Sequence, residues 1–289
     1  MRLATFNLLH GVSVSGADPA SLRPLLDERG RPIAPAPVMS DAPLRESARL
    51  LDADVLGLQE VDVHQERSGR AHQVRAVAEA LDAPFWMFVP ALRGTPGLER
   101  DWQAADAVDH RGYDDDPADV GPRYGVGLVS RHPVLAWRAT LFDAAPWSLP
   151  LVVPAAPRPR VMRIPDEPRV AVAALIDTPR GRITVATAHL SFVPGYNVRQ
   201  LRQLRTWLAT MPRPLVLLGD FNLPGSLPRR ITGWSPLVSA ATYPSTGPRV
   251  QFDHVLADGL TDAQRLSVRP EVHTLPVSDH CAVSVDLTL

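Results

Sequence analysis

The sequence of 289 residues contains no lysine, and all 30 of its basic residues are arginine. The absence of lysine excludes Schiff-base catalysis and a P-loop, because both use a lysine amine. The single cysteine, Cys281, excludes an internal disulfide and a multi-cysteine metal site. Cys281 begins a strand-like apolar run, which favours a buried structural thiol over a nucleophile.

The sequence also lacks an excess of charge of either sign, since its formal net charge is -1 and its pI is about 6.8. This balance gives no overall basic footprint for nucleic acid and favours a small substrate over a polymeric one. No apolar run is long enough to cross a bilayer as a helix. The first residues show no basic-then-apolar leader, so we expect a cytoplasmic protein without a transmembrane segment.

Single polar residues stand at the ends of several apolar runs. The runs and their polar ends are 3–6 followed by Asn7, 55–59 by Glu60, 183–188 by His189, 215–219 by Asp220, and 281–285 preceded by Asp279 and His280. Runs this apolar are typical of strands covered on both faces. An unpaired charge inside such a strand would be costly to bury, so these groups belong at the strand ends. We therefore expect them to form one cluster at one rim of the fold.

Two more polar residues extend this cluster. Asp220 and Asn222 are two positions apart, so in extended backbone their side chains point the same way. Asp253 stands in a strand-like segment of the same form as the others. A carboxylate at Asp253 can hold the ring of a histidine such as His280 in one tautomer and favour its charged form.

The remaining pattern predicts a single domain, residues 1–289, without repeats or linkers. Helices are predicted from Ser40 or Asp41 to before Asp54, at 70–82 and at 196–210. Strands are predicted at 84–89, 125–130, 134–141, 169–177, 182–190, 214–219, 252–257, 264–269 and 281–288. Residues 93–123 read as an irregular polar loop whose acidic triplet 114–116 is solvated. The proline-rich residues 144–168 predict a long excursion that helps to shape a substrate pocket.

Seven segments, in this order along the chain, resemble the endonuclease/exonuclease/phosphatase superfamily of metal-dependent phosphoesterases. They are Thr5–Asn7, Gly57–Val61, Tyr124–Arg131, Ala188–Ser191, Gly219–Asn222, Phe252–Val255 and Ser278–His280. Any one of these strings is a weak signal, whereas the ordered set is a strong one. The resemblance implies a four-layered α/β sandwich, in which two mixed β-sheets pack face to face and helices flank them.

The resemblance also implies a role for each matching residue. Glu60 would be the main carboxylate ligand of Mg²⁺, with Mn²⁺ as an alternative ion, while Asn7 and Asp279 would complete the metal site. The catalytic groups would be His189, Asp220, Asn222, Asp253 and His280. Asp220 would orient or deprotonate the attacking water, and Asn222 would fix this water and a phosphoryl oxygen. His189 would donate to a non-bridging phosphate oxygen, and His280, paired with Asp253, would stabilise the charge on the phosphate.

Three functions remain open on the sequence. The favoured one is a Mg²⁺-dependent hydrolase of a phosphomonoester or phosphodiester, acting on a small molecule or a lipid headgroup. The second is a nuclease acting on DNA or RNA, and the third is a binding protein that keeps the fold without catalysis. Val126 stands where many relatives carry Asn, and His254 stands where nucleases often carry Tyr. These departures weaken the transfer of nuclease specificity.

Overall fold

The computed structural model describes residues 1–12, 40–97, 102–105, 121–153 and 160–289. The helices are α1 Ala42–Leu51, α2 Gln73–Ala80, α3 Tyr196–Leu208, α4 Leu227–Thr232 and α5 Asp262–Ser267. The strands are β1 Arg2–Asn7, β2 Val55–Val63, β3 Phe85–Gly94, β4 Trp102–Ala104, β5 Arg123–Ser130, β6 Val134–Phe142, β7 Leu149–Val153, β8 Arg160–Ile164, β9 Arg169–Thr178, β10 Gly181–His189, β11 Leu215–Asp220, β12 Ser235–Pro236, β13 Asp253–Asp258, β14 Arg269–His273 and β15 Ala282–Asp286. Among the described residues, no helix is long and apolar enough to span a membrane.

The strands form two mixed sheets and a separate hairpin. The first sheet has the order β14-β15-β1-β2-β5-β3-β4, and the second has the order β12-β13-β11-β10-β9-β6. Strands β1 and β2 pair in parallel in the first sheet, as β10 and β11 do in the second, and the other pairs are antiparallel. Strands β7 and β8 pair only with each other.

Side-chain alternation along the strands produces the layers. In β1, Leu3 packs between the two sheets, whereas Ala4 and Phe6 pack beneath α1 and α2. In β11, Val216 and Leu218 face the inter-sheet core, and Leu217 between them packs against α3. The result is a helix–sheet–sheet–helix sandwich, so the predicted four-layered fold is confirmed.

A buried polar contact joins the two sheets near the edge where their polar residues meet. The amide of Gln59 donates from Nε2 to Thr187 Oγ1 over 2.7 Å, and Thr5 Oγ1 donates to Gln59 Oε1 over 3.2 Å. All three side chains are fully buried. Gly57 gives the space for this approach, because a Cβ there would lie 2.6 Å from Thr187 Oγ1. The contact fixes the separation of β2 and β10 beside Glu60 and close to His189.

Three predicted segments differ from the structure. Residues 93–123, predicted as an irregular loop, contain strand β4. Residues 264–269, predicted as a strand, lie largely in α5, which begins with a capping box made by Thr261 and Gln264. Leu266 on this helix is 79% exposed. Residues 144–168, predicted as a long excursion, contain the hairpin β7–β8. The acidic triplet 114–116 lies outside the described residues.

The strand ends meet at one edge of the sandwich. Asn7 pairs with Gln59 across β1 and β2, and His189 pairs with Asp220 across β10 and β11. Asp220 in turn pairs with Asp253, the first residue of antiparallel β13. The topology therefore delivers polar residues from both sheets to the same edge.

Gly219 generates a stability prediction. Its φ is +144°, and an added Cβ would lie 2.0 Å from the carbonyl oxygen of Ala188. Gly181 also has a positive φ, +125°, but its added Cβ meets no atom within 4 Å. We expect Gly181→Ala to lower the free energy of unfolding by about 1–3 kcal/mol through strain alone. Gly219→Ala should lower it by about 1–3 kcal/mol more, because the clash with backbone adds overpacking. Urea unfolding followed by circular dichroism measures both, and equal losses would contradict this account.

Candidate active site

Three site segments have backbone conformations that non-glycine residues rarely adopt. Glu60, Asn222 and Ser278 have φ values of 53°, 50° and 80°. Glu60 also lies where the pairing of β2 with β5 shifts register between Leu58 and Val61. Such conformations cost about 1–3 kcal/mol each and persist where the surrounding structure holds them. These three strained residues lie in segments that carry the polar cluster, and Glu60 lies inside β2 rather than at the strand end predicted for it.

An asparagine amide brings two carboxylates together. Asn7 Nδ2 donates to Glu60 Oε1 over 3.1 Å and to Asp220 Oδ2 over 3.0 Å. The orientation of the amide is fixed, because Asn7 Oδ1 accepts from the backbone N–H of Leu9 at 3.0 Å. Glu60 comes from the first sheet and Asp220 from the second, so this amide links the sheets at the site.

Asp220 lies at the centre of the cluster and is almost fully buried. Its Oδ1 accepts from the backbone N–H of Asn222 at 2.9 Å. Burial raises the pKa of Asp220 to about 7, although the charge of His280 and the hydrogen bonds from Asn222 and Asn7 oppose the rise. Asp220 is thus a carboxylate able to take up a proton near neutral pH.

His280 and Asp253 form a buried ion pair. His280 Nδ1 donates to Asp253 Oδ2 over 2.9 Å, and His280 Nε2 lies 3.8 Å from Asp220 Oδ2. Burial lowers the pKa of His280, but the carboxylates of Asp253 and Asp220 outweigh burial and raise it to about 10. The Tyr243 ring packs 4.9 Å from the imidazole. His280 is therefore an imidazolium that directs an N–H at Asp220.

His189 lies on the other side of Asp220 in the opposite charge state. Its Nε2 is 3.8 Å from Asp220 Oδ2 and 3.3 Å from Asn222 Nδ2. Its Nδ1 is 3.1 Å from an amino group of Arg169. Burial lowers the pKa of His189 well below its usual range, and the charges of Arg169 and His280 lower it further. His189 is therefore neutral at physiological pH.

Asn222 and Asp279 occupy the flanks of the cluster. Asn222 Nδ2 donates to the carbonyl of Leu190 at 3.0 Å, and the Asn222 carbonyl accepts from Asn197 in the first turn of α3. Asp279 is buried next to His280, and its charge contributes to the raised pKa of that histidine. The structure thus places all eight predicted site residues at one edge.

Arg169 and Glu167 were missed by the sequence analysis. The predicted strands at 169–177 and 182–190 flank a tight turn, so the start of the first strand must meet the end of the second. This antiparallel register was a signal that could have placed Arg169 beside His189. Glu167 lies in the proline-rich connection before β9, and no pattern pointed to it.

The cluster has the chemistry of a site for a hard divalent cation. Glu60 and Asp279 supply carboxylate oxygen atoms, which hard cations prefer. Asn7 Oδ1 accepts from Leu9 instead, and the Nδ2 of Asn7 faces the carboxylates. Burial raises the pKa of Glu167; the charge of Arg169 opposes this rise, and the nearby Glu60 carboxylate adds to it. Glu60 is also only half-buried, which leaves it accessible to an ion. These residues fit such an ion.

A second set of donors fits a metal less well. One ligand atom each from Asp220, Asp253 and His280 lies within 4.8 Å of the others. His280 fits a metal ligand poorly, because Nδ1 is bound to Asp253 and a pKa of about 10 favours a proton on Nε2. His280 therefore fits the part of a hydrogen-bond donor better than that of a ligand.

The ion pair leads to a prediction for the metal-free protein. NMR titration should show His280 protonated through pH 9, and Asp253→Asn should bring its pKa down towards or below 6.5, because burial then dominates. The raised pKa stabilises the fold fully below pH 6.5, and this contribution is lost as the pH rises through about 10. Asp177→Asn, at the exposed far end of β9, is the control. A His280 resonance that titrates near pH 6.5 in the unsubstituted protein would contradict the assignment.

Solved structures share this fold. An endonuclease/exonuclease/phosphatase protein from Beutenbergia cavernae matches with a TM-score of 0.58 and 20% identity, over 100% of this chain and 71% of that chain. A family protein from Leptotrichia buccalis matches with a TM-score of 0.57 and 14% identity, over all of both chains. Beta toxin from Staphylococcus aureus matches with a TM-score of 0.56 and 11% identity, also over all of both chains. At these identities the likeness shows the fold.

No curated protein matches the sequence. The profile of one protein family does match, and it extends from residue 4 to residue 280. The matched span includes all eight site residues, from Asn7 to His280, and nearly the whole chain. The protein is therefore a member of the endonuclease/exonuclease/phosphatase family.

Proposed function

We propose that the protein is a hydrolase of phosphate esters that depends on a divalent cation, Mg²⁺ in the first place and Mn²⁺ as a substitute. Members of the family are typically hydrolases of phosphoesters and generally use a divalent metal. The observation that carries the proposal is the setting of Asp220. This buried carboxylate lies between a neutral and a charged histidine and shares the Asn7 amide with Glu60. The match over residues 4–280 also supports one catalytic domain.

Each side chain then has a part in positioning and proton transfer. Asp220 accepts a proton from the attacking water, and Asn222 holds that water and a phosphoryl oxygen. His280 donates a hydrogen bond from Nε2 to the phosphoryl group, where negative charge develops. Asp253 keeps the imidazolium in place. Phosphoryl transfer depends mainly on such positioning and on donors at the developing charge.

The metal ligands would be Glu60 and Asp279, whereas Asn7, predicted as a third ligand, turns its Oδ1 to Leu9 and would act through its amide nitrogen. A divalent cation held there would neutralise negative charge on the phosphate ester. The amide of Asn7 orients the Glu60 carboxylate towards that position. Because Asn7 also holds Asp220, the residues of the metal side and the proton-accepting side share one anchor.

The substrate that we propose is a small phosphate ester or a lipid headgroup, as monoester or diester. The net charge of -1 offers no general attraction for a polyanion. His189, Asp220 and His280 are all buried, so the reacting ester must reach side chains that lie below the protein surface. A catalytically silent binding protein is the less favoured alternative, because every reacting group stands in place.

A hydrolysis assay tests the reaction. The purified protein should hydrolyse bis-p-nitrophenyl phosphate or a member of a phosphomonoester panel with Mg²⁺ or Mn²⁺. Asp220→Asn should lower kcat by about 10²–10⁴-fold, because it removes the proton acceptor. Asp262→Asn, an exposed carboxylate on α5, is the matched control and should leave kcat unchanged. A protein that hydrolyses neither class of ester with either ion would overturn the proposal.

One observation favours nucleic acid as a second candidate substrate. Residues 178–252 contain nine arginines and a single carboxylate, the buried Asp220. Five of these arginines are exposed on α3 and α4, and none forms an ion pair with any described residue: Arg199, Arg202, Arg205, Arg229 and Arg230. This cationic face adjoins the site, because Asn197 at the start of α3 binds the Asn222 carbonyl. The net charge close to zero therefore conceals a local positive charge on α3 and α4, and this charge suits a phosphate backbone.

Plasmid nicking and abasic-site cleavage distinguish the two substrates. If the substrate is DNA, the double variant Arg202→Glu, Arg205→Glu should lower kcat/KM on DNA at least about tenfold and reduce the slope of log K against log salt by about 2. Turnover of bis-p-nitrophenyl phosphate should stay unchanged. Arg49→Glu with Arg180→Glu, an exposed arginine on α1 and one in the turn between β9 and β10, is the control. Turnover of small esters without either DNA activity would remove the nuclease candidate.

A further inference from the structure

Arg169 is a buried cation in direct contact with the cluster. It opens β9, and only 4% of its surface is exposed. One of its amino groups donates to Asp166 Oδ1 over 3.4 Å, and its guanidinium carbon lies 5.9 Å from the Phe192 ring centre. Burying an arginine is costly unless its donors have partners, and among the described residues Nε of Arg169 has none.

Asp166 is itself held rigidly. Its Oδ2 accepts from the backbone N–H of Ala145 at 2.8 Å and from Ser191 Oγ at 2.7 Å. Ser191 follows His189 by two residues, so the carboxylate that holds Arg169 is tied to the same strand end as the histidine. The hydrogen bonds of Asp166 to Ala145 and Ser191 therefore both help to fix the position of the guanidinium relative to the His189 ring.

The contact with His189 determines where the ring proton sits. A guanidinium has donors and no acceptor, so a ring nitrogen that it contacts must offer a lone pair. The amino group is 3.1 Å from Nδ1 and 3.4 Å from Nε2, so Nδ1 is the better acceptor. The proton of the neutral ring then lies on Nε2, the nitrogen 3.8 Å from Asp220 Oδ2.

The charged groups around the ring agree with this tautomer. Asp220 is the negative group that faces Nε2, and it favours a hydrogen there. The positive groups that act on the ring are Arg169 and His280, and both oppose a second ring proton. Asp166 lies beyond Arg169 and is paired with it. Asn222 Nδ2 lies 3.3 Å from Nε2 and donates one of its two hydrogens to the Leu190 carbonyl; its second hydrogen is the contact that opposes a proton on Nε2, and the charge of Asp220 outweighs it.

We propose that Arg169 is a positioning residue that fixes His189 as the neutral tautomer with its proton on Nε2, directed into the site beside Asp220. His189 then presents a hydrogen-bond donor to a phosphoryl oxygen without adding a second imidazolium next to Asp220. The opposite tautomer would turn a lone pair towards both the carboxylate and the phosphoryl oxygen. The role of the phosphoryl oxygen as acceptor rests on the proposed function, whereas the tautomer does not.

The tautomer can be measured without substrate or metal. Two-bond ¹H–¹⁵N correlation spectra of the full-length protein separate the two neutral tautomers and the imidazolium, and His189→Gln identifies the His189 signals. We expect Nδ1 without a proton and Nε2 with one, unchanged between pH 8 and pH 6. A proton on Nδ1, or an imidazolium that forms within this range, would overturn the proposal even if the enzyme hydrolyses phosphate esters.

A double-mutant cycle tests whether Arg169 acts through His189. Arg169→Met should lower kcat about 10²-fold, the scale of losing one oriented donor. In the His189→Gln background the same change should cost less than about threefold, because its target is gone. Arg169→Lys keeps the charge and should restore part of the activity, and Arg138→Met on neighbouring β6 is the control. Equal losses in both backgrounds would show that Arg169 acts on the substrate or on the fold instead. If Arg169→Met does not fold, the spectra of the unsubstituted protein decide.

Discussion

The amide of Asn7, shared between Glu60 and Asp220, is the contact on which the site depends. Two carboxylates from different sheets would repel each other when both lie next to one amide. The Asn7 amide offsets this repulsion by donating a hydrogen bond to each of them. Just below, the hydrogen bond from Gln59 to Thr187 fixes the separation of the same two sheets. The apolar core between the sheets brings these strands together, and the polar contacts determine the register in which their ends meet.

Asp220 divides the site into two halves with different charge. On one side, Asp253 gives His280 a carboxylate partner and makes it an imidazolium. On the other side, burial lowers the pKa of His189, and its cationic neighbour Arg169 lowers it further, so that this ring is neutral. Two histidines with the same intrinsic pKa thus take different states because their second partners carry opposite charge. The site gains one charged donor and one neutral donor around a single carboxylate.

Most of this arrangement was predictable from the sequence, because it follows from strand ends. Apolar runs that stop at one polar residue specify both a buried strand and the position of its functional group, as for Asn7 and Asp220. Glu60 differs, because β2 continues beyond it to Val63. Arg169 was missed because it precedes its strand, where only the antiparallel register reveals its neighbour. The helix α5 was missed because its capping box outweighs an apolar pattern that buries no residue. Charge states depend on three-dimensional partners, and no pattern in the sequence contains them.

We infer that one divalent ion and one phosphoryl group meet between Glu60 and the two histidines. The decisive measurement is a crystal structure of the protein with Mn²⁺ and inorganic phosphate, because anomalous scattering locates the metal without reference to the chain. Mn²⁺ should be coordinated by Glu60, and a phosphate should lie within hydrogen-bonding distance of His189 Nε2 and His280 Nε2. Mn²⁺ bound away from Glu60, or a phosphate that contacts neither histidine, would show that this inference is wrong.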